Sequence, residues 1–232
     1  MNIYYFPDID EKAQFTTLPE DESKHCCKVL RQKKGDSIIV MNGKGSFFTC
    51  EILENNPKKC LLEIKESEHE QESPFKIHIA ICILKNQERM EWFIEKATEI
   101  GVHQISFLYS KNSERKKINL ERFQKIAIVA CKQTQRKHLP ILNELISVEE
   151  FLSKHSEGAI AHCYSGNKIQ LKNNFRKQYY PILIGPEGDF TKEEVELAIE
   201  KKYDPISLGK NRLRSETAAL YCSFMAKTLI EM

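Results

Sequence analysis

No uninterrupted apolar run in the 232-residue chain is long enough to cross a bilayer. The longest stretch, about Ile77 to Leu84, is broken by His78, against the ~18–20 residues a spanning helix needs. The opening residues Met1-Asn2-Ile3-Tyr4-Tyr5-Phe6-Pro7-Asp8 hold no basic region followed by an apolar block, and no small-residue cleavage site. The expectation is a cytoplasmic protein with no membrane partner. Nor is there a strong net charge: 35 Lys+Arg stand against 33 Asp+Glu, a formal balance of +2, so overall charge announces no polyanionic partner. Eight cysteines (26, 27, 50, 60, 82, 131, 163 and 222) include no CxxC pair, and structural zinc sites use four ligands at recognisable spacing. No metal is expected, and the thiols read as reduced, buried small hydrophobes. Internal repeats and low-complexity tracts are missing as well. With 41% hydrophobic residues, 9 glycines and 8 prolines, disordered and collagen-like chains are excluded. What is left is a globular chain long enough for two units.

The patterning divides it. Three β-type runs, 37–41, 47–53 and 60–64, are separated by the hairpin signal Asn42-Gly43-Lys44-Gly45 and by Glu54-Asn55-Asn56-Pro57-Lys58, which predicts a small antiparallel β domain. Upstream, Pro19 to His25 leads into a short basic helix or turn. The acidic segment from Glu66 to Pro74 reads as an interdomain linker, placing the boundary near residue 70. Beyond it, strands and helices alternate. Ile77–Leu84 reads as a buried strand, and Met90, Phe93, Ile94, Ala97 and Ile100 form a helical stripe closed by Gly101. Further strands are expected at 104–109, 159–163, 182–184 and 206–208, and helices at about 120–136, after Ser147, after Thr191 and at about 215–229. Such alternation implies an α/β domain with a parallel sheet covered on both faces.

Charge is uneven beneath the neutral total. Between Lys111 and Pro140 nine Lys+Arg face two acidic residues, and Lys24, Lys28, Arg31, Lys33 and Lys34 form a second cluster. Both suit phosphate contact, although a solvated helix face is an equally ordinary use of such residues. Two loops then invite a ligand. Ile182-Leu183-Ile184 breaks into Gly185-Pro186-Glu187-Gly188 before a capped helix, and Ile206-Ser207-Leu208 turns at Gly209 before the terminal helix. Strand ends of this kind are where open α/β sheets bind ligands. In the first loop two glycines let a ligand approach the backbone and Pro186 removes a donor. Neither loop is a Walker A or a GxGxxG motif, and a tight turn alone would also account for Pro-Glu-Gly.

Taken in order, these segments resemble the RsmE family of ribosomal RNA methyltransferases, within the SPOUT class. The closing motifs are Gly185-Pro186-Glu187-Gly188 and Ser207-Leu208-Gly209 with Leu213-Arg214-Ser215-Glu216-Thr217-Ala218. Upstream, Lys85, Arg89-Met90-Glu91-Trp92 and Lys96-Ala97-Thr98-Glu99-Ile100-Gly101 resemble the family's lysine and its "K-A-T-E-L-G" helix. Ser113-Glu114-Arg115 and Gln133 to Arg136 resemble its "S-E-R" and "E-Q-x-x-R" segments, and His25 with Val29-Leu30-Arg31 and Gly35-Asp36 its "H-x-x-x-V-L-R…G-D". The chain departs from the family at Asp189, where a second glycine is common, at Asn211, and at Lys132, which replaces a glutamate.

The resemblance implies a PUA-like RNA-binding β-barrel over 1–70 and a SPOUT α/β methyltransferase domain with a C-terminal trefoil knot over 74–232. It further implies a homodimer that transfers a methyl group from S-adenosyl-L-methionine to N3 of a uridine in 16S rRNA of the small ribosomal subunit. Periodicity alone gives an α/β domain, for which an unknotted chain is the default. Matched residue by residue, Ile184, Gly185, Pro186, Glu187, Gly188, Leu208, Gly209, Leu213 and Arg214 would bind the cofactor. Lys24, His25, Arg31, Arg115 and Arg136 would contact RNA. Uridine N3 carries a weakly acidic proton that must be removed or its developing anion stabilised, which makes Arg136, Arg115, Glu187 and Glu216 the candidate catalytic groups. Other uses stay open: Glu187 as a cap of its own turn, Glu216 as a favourable charge at a helix start, His25 as a packed side chain. The competing functions are a SPOUT methyltransferase acting on another RNA and a non-catalytic RNA-binding ribosome-assembly factor.

Overall fold

A computed structural model describes residues 2–171 and 179–231. The chain divides into two compact units: Met1–Glu72 together with Cys131–Leu139, and Ser73–Ala130 together with Pro140–Met232.

In the first unit the chain runs β1 (Ile3–Tyr5), β2 (Phe15–Thr17), α1 (Glu20–Lys24), a π-helical turn (His25–Val29), β3 (Ser37–Met41), β4 (Ser46–Glu54) and β5 (Leu61–His69). Its five-stranded sheet has the order β1-β3-β4-β5-β2. The three expected strands pair antiparallel, but β1 joins β3 in parallel. Three residues are too few for a period of two to show in the sequence. The expected linker is also corrected in part, because Glu66 to His69 continue β5 and pair with Thr49 to Ser46. A nine-residue β4 needs a partner along its length, and the acidic residues there are exposed. Their composition records a solvated strand face. Along β4, Ser46, Phe48, Cys50 and Ile52 alternate inward. Phe48, Cys50 and Ile52, with Tyr4, Leu18, Cys26, Ile38, Val40, Cys60 and Leu62, make the core of this unit.

The second unit contains β6 (His78–Cys82), α2 (Gln87–Ile100), β7 (Gln104–Tyr109), α3 (Leu120–Thr134, whose last turn groups with the first unit), β8 (Ile141–Ser147), α4 (Val148–Lys154), β9 (Gly158–Ala161), β10 (Ile169–Gln170), β11 (Ile182–Ile184), α5 (Lys192–Glu200), β12 (Tyr203–Ser207) and α6 (Ser215–Glu231). Seven strands in the order β10-β12-β9-β11-β6-β7-β8 form one sheet whose pairings are all parallel. Continuous burial of β6 and β11 is what a sheet covered on both faces demands. The helix signals read correctly where caps are local. Asn86 accepts from the Arg89 N–H at 3.3 Å and Gly101 closes α2 at φ 97°, while Thr191 and Glu194 form a reciprocal capping box on α5. Strand β8 was not expected. It lies at the sheet edge with no residue fully buried, so neither strict alternation nor a continuous apolar run marks it.

One buried polar network ties the centre of this sheet. His78 of β6 is fully buried, its Nδ1 2.6 Å from the Tyr179 hydroxyl and its Nε2 2.8 Å from Ser106 Oγ. Burial, with a smaller contribution from His155, lowers its pKa to about 3.

Candidate functional site

Strand register brings three carboxyl ends together. Ala161, the last residue of β9, is paired with Ile184 of β11 on one side and Ile206 of β12 on the other. The loops that leave these strands therefore emerge side by side, and between them lies a cleft of about 810 Å³. Its lining takes in His162 to Tyr164 from the first loop, Ile184 to Asp189 from the second and Ile206 to Ser215 from the third, with Arg89, Lys168 and Ala218 closing it. All nine residues expected to bind a cofactor, including Leu208, Gly209, Leu213 and Arg214, line this one cleft.

The loops are held by specific bonds. Asp189 sits at φ 62°, and its Oδ2 accepts from the Cys163 N–H at 2.7 Å while Oδ1 accepts from the Phe190 N–H at 2.8 Å. One carboxylate thus stiffens its own turn and ties the first loop to the second. Gly185 packs closely against the same turn. A Cβ there would stand 3.2 Å from Asp189 Oδ1 and from Phe190, so a larger residue would make this turn give by a few tenths of an ångström. Gly188 likewise faces Asn112, whose Nδ2 donates to the carbonyls of Gly188 and Asp189 at 3.2 and 3.1 Å. By contrast Gly209 has a φ of 122° and open space where a Cβ would stand. There the glycine leaves backbone accessible.

Polar groups around the cleft differ in how far they are already committed. Both ring nitrogens of His162 are buried and have no hydrogen-bond partner. Burial, followed by the Lys168 charge and opposed by Asp189, lowers its pKa, so the imidazole is neutral at pH 7 with one donor and one acceptor to offer. Glu187 is exposed, and its Oε1 accepts from the Lys85 N–H at 3.1 Å. Lys85 Nζ pairs with Glu114 at 2.9 Å and the Lys85 carbonyl accepts from Arg115 Nη1 at 3.3 Å. The Ser113-Glu114-Arg115 segment is therefore linked to Glu187 through Lys85. Glu216 is buried at the start of α6, 3.7 Å from Arg89 Nε, and is not among the lining residues. Arg115 does not line the cleft either. Arg136, Lys24, His25 and Arg31 all belong to the first unit, where Lys24 pairs with Glu20 at 3.6 Å, His25 meets the Tyr4 ring edge-on and Arg31 is exposed at φ 52°.

The basic strip is less uniform than its sequence. Of its nine cations, Arg122 pairs with Glu91, Lys132 with Glu22 and Lys137 with Glu68. The expected site residues do not include Arg89, Lys168, Asp189 or Arg212, and the strand end at His162 and Cys163 is readable as a third loop although its motif match is poor. Asp189 and Arg212 lie in the two loops already marked, whereas Lys168 follows β9, and only register shows that β9 pairs with both marked strands.

An "RNA methyltransferase domain" family matches residues 71–227 and an "RNA methyltransferase PUA domain" family matches residues 18–65. Together with the parallel sheet and its three-loop cleft, they define a SPOUT-class RNA methyltransferase carrying a PUA-like unit. The particular family follows from whole-chain likeness. The "Ribosomal RNA small subunit methyltransferase E" of Rickettsia conorii is 31% identical over 209 residues, 88% of this chain and 85% of that protein. A crystal structure of a probable rRNA-methyltransferase from Porphyromonas gingivalis superposes with a TM-score of 0.87 at 36% identity, covering 100% of this chain and 99% of the other. The Neisseria gonorrhoeae ribosomal RNA small subunit methyltransferase E, solved bound to S-adenosyl methionine, gives 0.86 at 27% identity over 99% and 98%. The chain belongs to the ribosomal RNA small subunit methyltransferase E family. No described helix is long and apolar enough to cross a membrane.

Proposed function

We propose that this protein transfers the methyl group of S-adenosyl-L-methionine to N3 of a uridine in the 16S rRNA of the small ribosomal subunit, in the cytoplasm and as a homodimer. The observation that carries the reading is the convergence of the β9, β11 and β12 loops on one cleft. Its size falls in the range of roughly 300–1,000 Å³ typical of small-molecule sites. It also fits the cofactor chemically. Ile184, Leu208, Leu213 and Ala218 offer apolar surface, the backbone at Gly209 is open, and the unpartnered His162 nitrogens supply a donor and an acceptor. When bound, the sulfonium supplies an already activated methyl group, so no metal is needed.

The chain's residues would then hold the acceptor base and manage its proton. Glu187, exposed at the cleft and oriented by the Lys85 N–H, is the better placed of the two glutamates to take the N3 proton. Glu216 serves as a positioning residue that holds Arg89 at the cleft wall. Arg115 and Arg136 hold the uridine or its phosphates, and Lys24, His25 and Arg31 serve the RNA from the first unit. The trefoil knot belongs to the same proposal, as the threading of the three loops. Dimer formation is supported by aromatic side chains left exposed on α2 and α6, Trp92 at 46%, Tyr221 at 44% and Phe224 at 66%. Isothermal titration with S-adenosyl-L-methionine tests the cofactor assignment: saturable one-to-one binding is expected, and no heat at millimolar cofactor would refute it.

A further inference from the structure

Folding assembles something in the first unit that the cysteine spacing did not announce. The sulfurs of Cys26, Cys27 and Cys60 all lie within 4.8 Å of one another. Two of these residues are consecutive, and they sit in the π-helical turn His25–Val29. The wider winding of a π turn is uncommon and recurs at functional sites. The third thiol is held from the other side, because the Cys60 N–H donates to Ser23 Oγ at 3.1 Å and the Cys60 carbonyl accepts from the Leu18 N–H at 3.0 Å. The Tyr4 hydroxyl, beside Cys26, is buried with no hydrogen-bond partner.

We propose that Cys26, Cys27 and Cys60 bind a thiophilic d¹⁰ cation of the zinc or monovalent-copper class. With metal–sulfur bonds of about 2.3 Å, the sulfur–sulfur edge of a trigonal set is about 4.0 Å, so the three side chains close by less than one ångström from the observed limit. Cys26 and Cys60 are buried while Cys27 is partly exposed, which gives the site a dry interior and an entry path. Binding displaces the thiol protons to solvent as each Sγ–H is exchanged for an Sγ–metal bond, and the thiolates become acceptors for the orphaned Tyr4 hydroxyl. A fourth position on zinc would be taken by water or an external thiol. No other group of three or more such ligands occurs among the described residues.

The test uses the full chain, reduced and stripped with a chelator under anaerobic conditions, then titrated separately with Zn²⁺ and Cu⁺ against a chromophoric competitor, and with Co²⁺ as a spectroscopic probe. One equivalent is expected, with a cobalt–thiolate charge-transfer band. Cys60→Ser is expected to lose the band and at least ~100-fold in affinity, beyond the 10–100-fold typical of outer-shell changes. Cys27→Ser, at a partly exposed position, keeps the test decisive should the buried variant not fold, and Cys163→Ser should bind as the parent does. Stoichiometric uptake of either metal, lost in Cys27→Ser, supports the proposal and the winning metal names the cation. It is overturned by binding too weak to compete, by Cys27→Ser binding unchanged, or by mass spectrometry finding a disulfide among these thiols in protein exposed to air with zinc present.

Discussion

Asp189 stands where the family commonly has glycine, and the structure gives that departure a measurable purpose. Replacing it by glycine leaves the φ of 62° unstrained and removes only the carboxylate that bridges the β9 and β11 loops. A hydrogen bond to a charged acceptor contributes about 1.5–3 kcal/mol, and the exposure of Cys163 with the partial exposure of Asp189 argues for the lower end. If the two loops must be aligned before a ligand can use the cleft, losing ~1.4 kcal/mol of alignment reduces the competent population, and hence the apparent affinity, by up to about tenfold. Asp189→Gly is therefore expected to raise the Kd for S-adenosyl-L-methionine by up to about tenfold by calorimetry, while its melting temperature changes by no more than a few degrees. A left-handed non-glycine residue costs ~1–2 kcal/mol, so relief of that strain offsets part of the lost bonding in the fold itself. Asp189→Asn retains an acceptor without the charge and should fall between. Wild-type affinity in Asp189→Gly would refute the bridging role, and a large loss of melting temperature would show that the carboxylate serves stability instead.

Glu187→Gln is expected to lower kcat of methyl transfer by ~100-fold or more, within the usual range for a general base; equal kcat would remove Glu187 from proton transfer. Phe224→Glu should convert a dimer into a monomer in sedimentation experiments, and a dimer persisting in that variant would direct attention to another face. Stability should fall on acidification because His78 binds its proton far less readily folded than unfolded. With a folded pKa of about 3 and an unfolded value near 6.5, the contribution is intact above pH 6.5 and lost progressively as pH falls toward 3. From pH 7 to pH 5 the loss is about 2 kcal/mol, read as a shift in urea midpoint. His78→Gln should flatten that slope; an equal slope in the variant would assign the acid sensitivity elsewhere.

Elements with local signals were legible in the sequence: α2 from its stripe and Gly101, α5 from Thr191 and Glu194, the β3–β4 hairpin from Asn42-Gly43. Elements stabilised by a partner were not. The acidic half of β5 is a strand because β4 lies beside it, and β8 is a strand because β7 does. The site followed the same division. Gly185 to Gly188 and Leu208 to Arg214 carry their own turn chemistry and could be marked in advance. Arg89 reaches the cleft only through helix packing, and the strand end at His162, readable as a third loop, is joined to the other two by strand register. The pairing of Cys60 with Cys26 and Cys27 is likewise a product of the fold, spanning 34 residues of chain that hold no metal motif.

The central claim is a reaction at one atom of one base. Small ribosomal subunits from a strain lacking this protein, incubated with it and S-adenosyl-L-methionine and mapped by mass spectrometry, should gain a single methyl group on N3 of a 16S rRNA uridine. A methyl on a ring carbon, on transfer RNA alone, or no methyl at all would contradict the account.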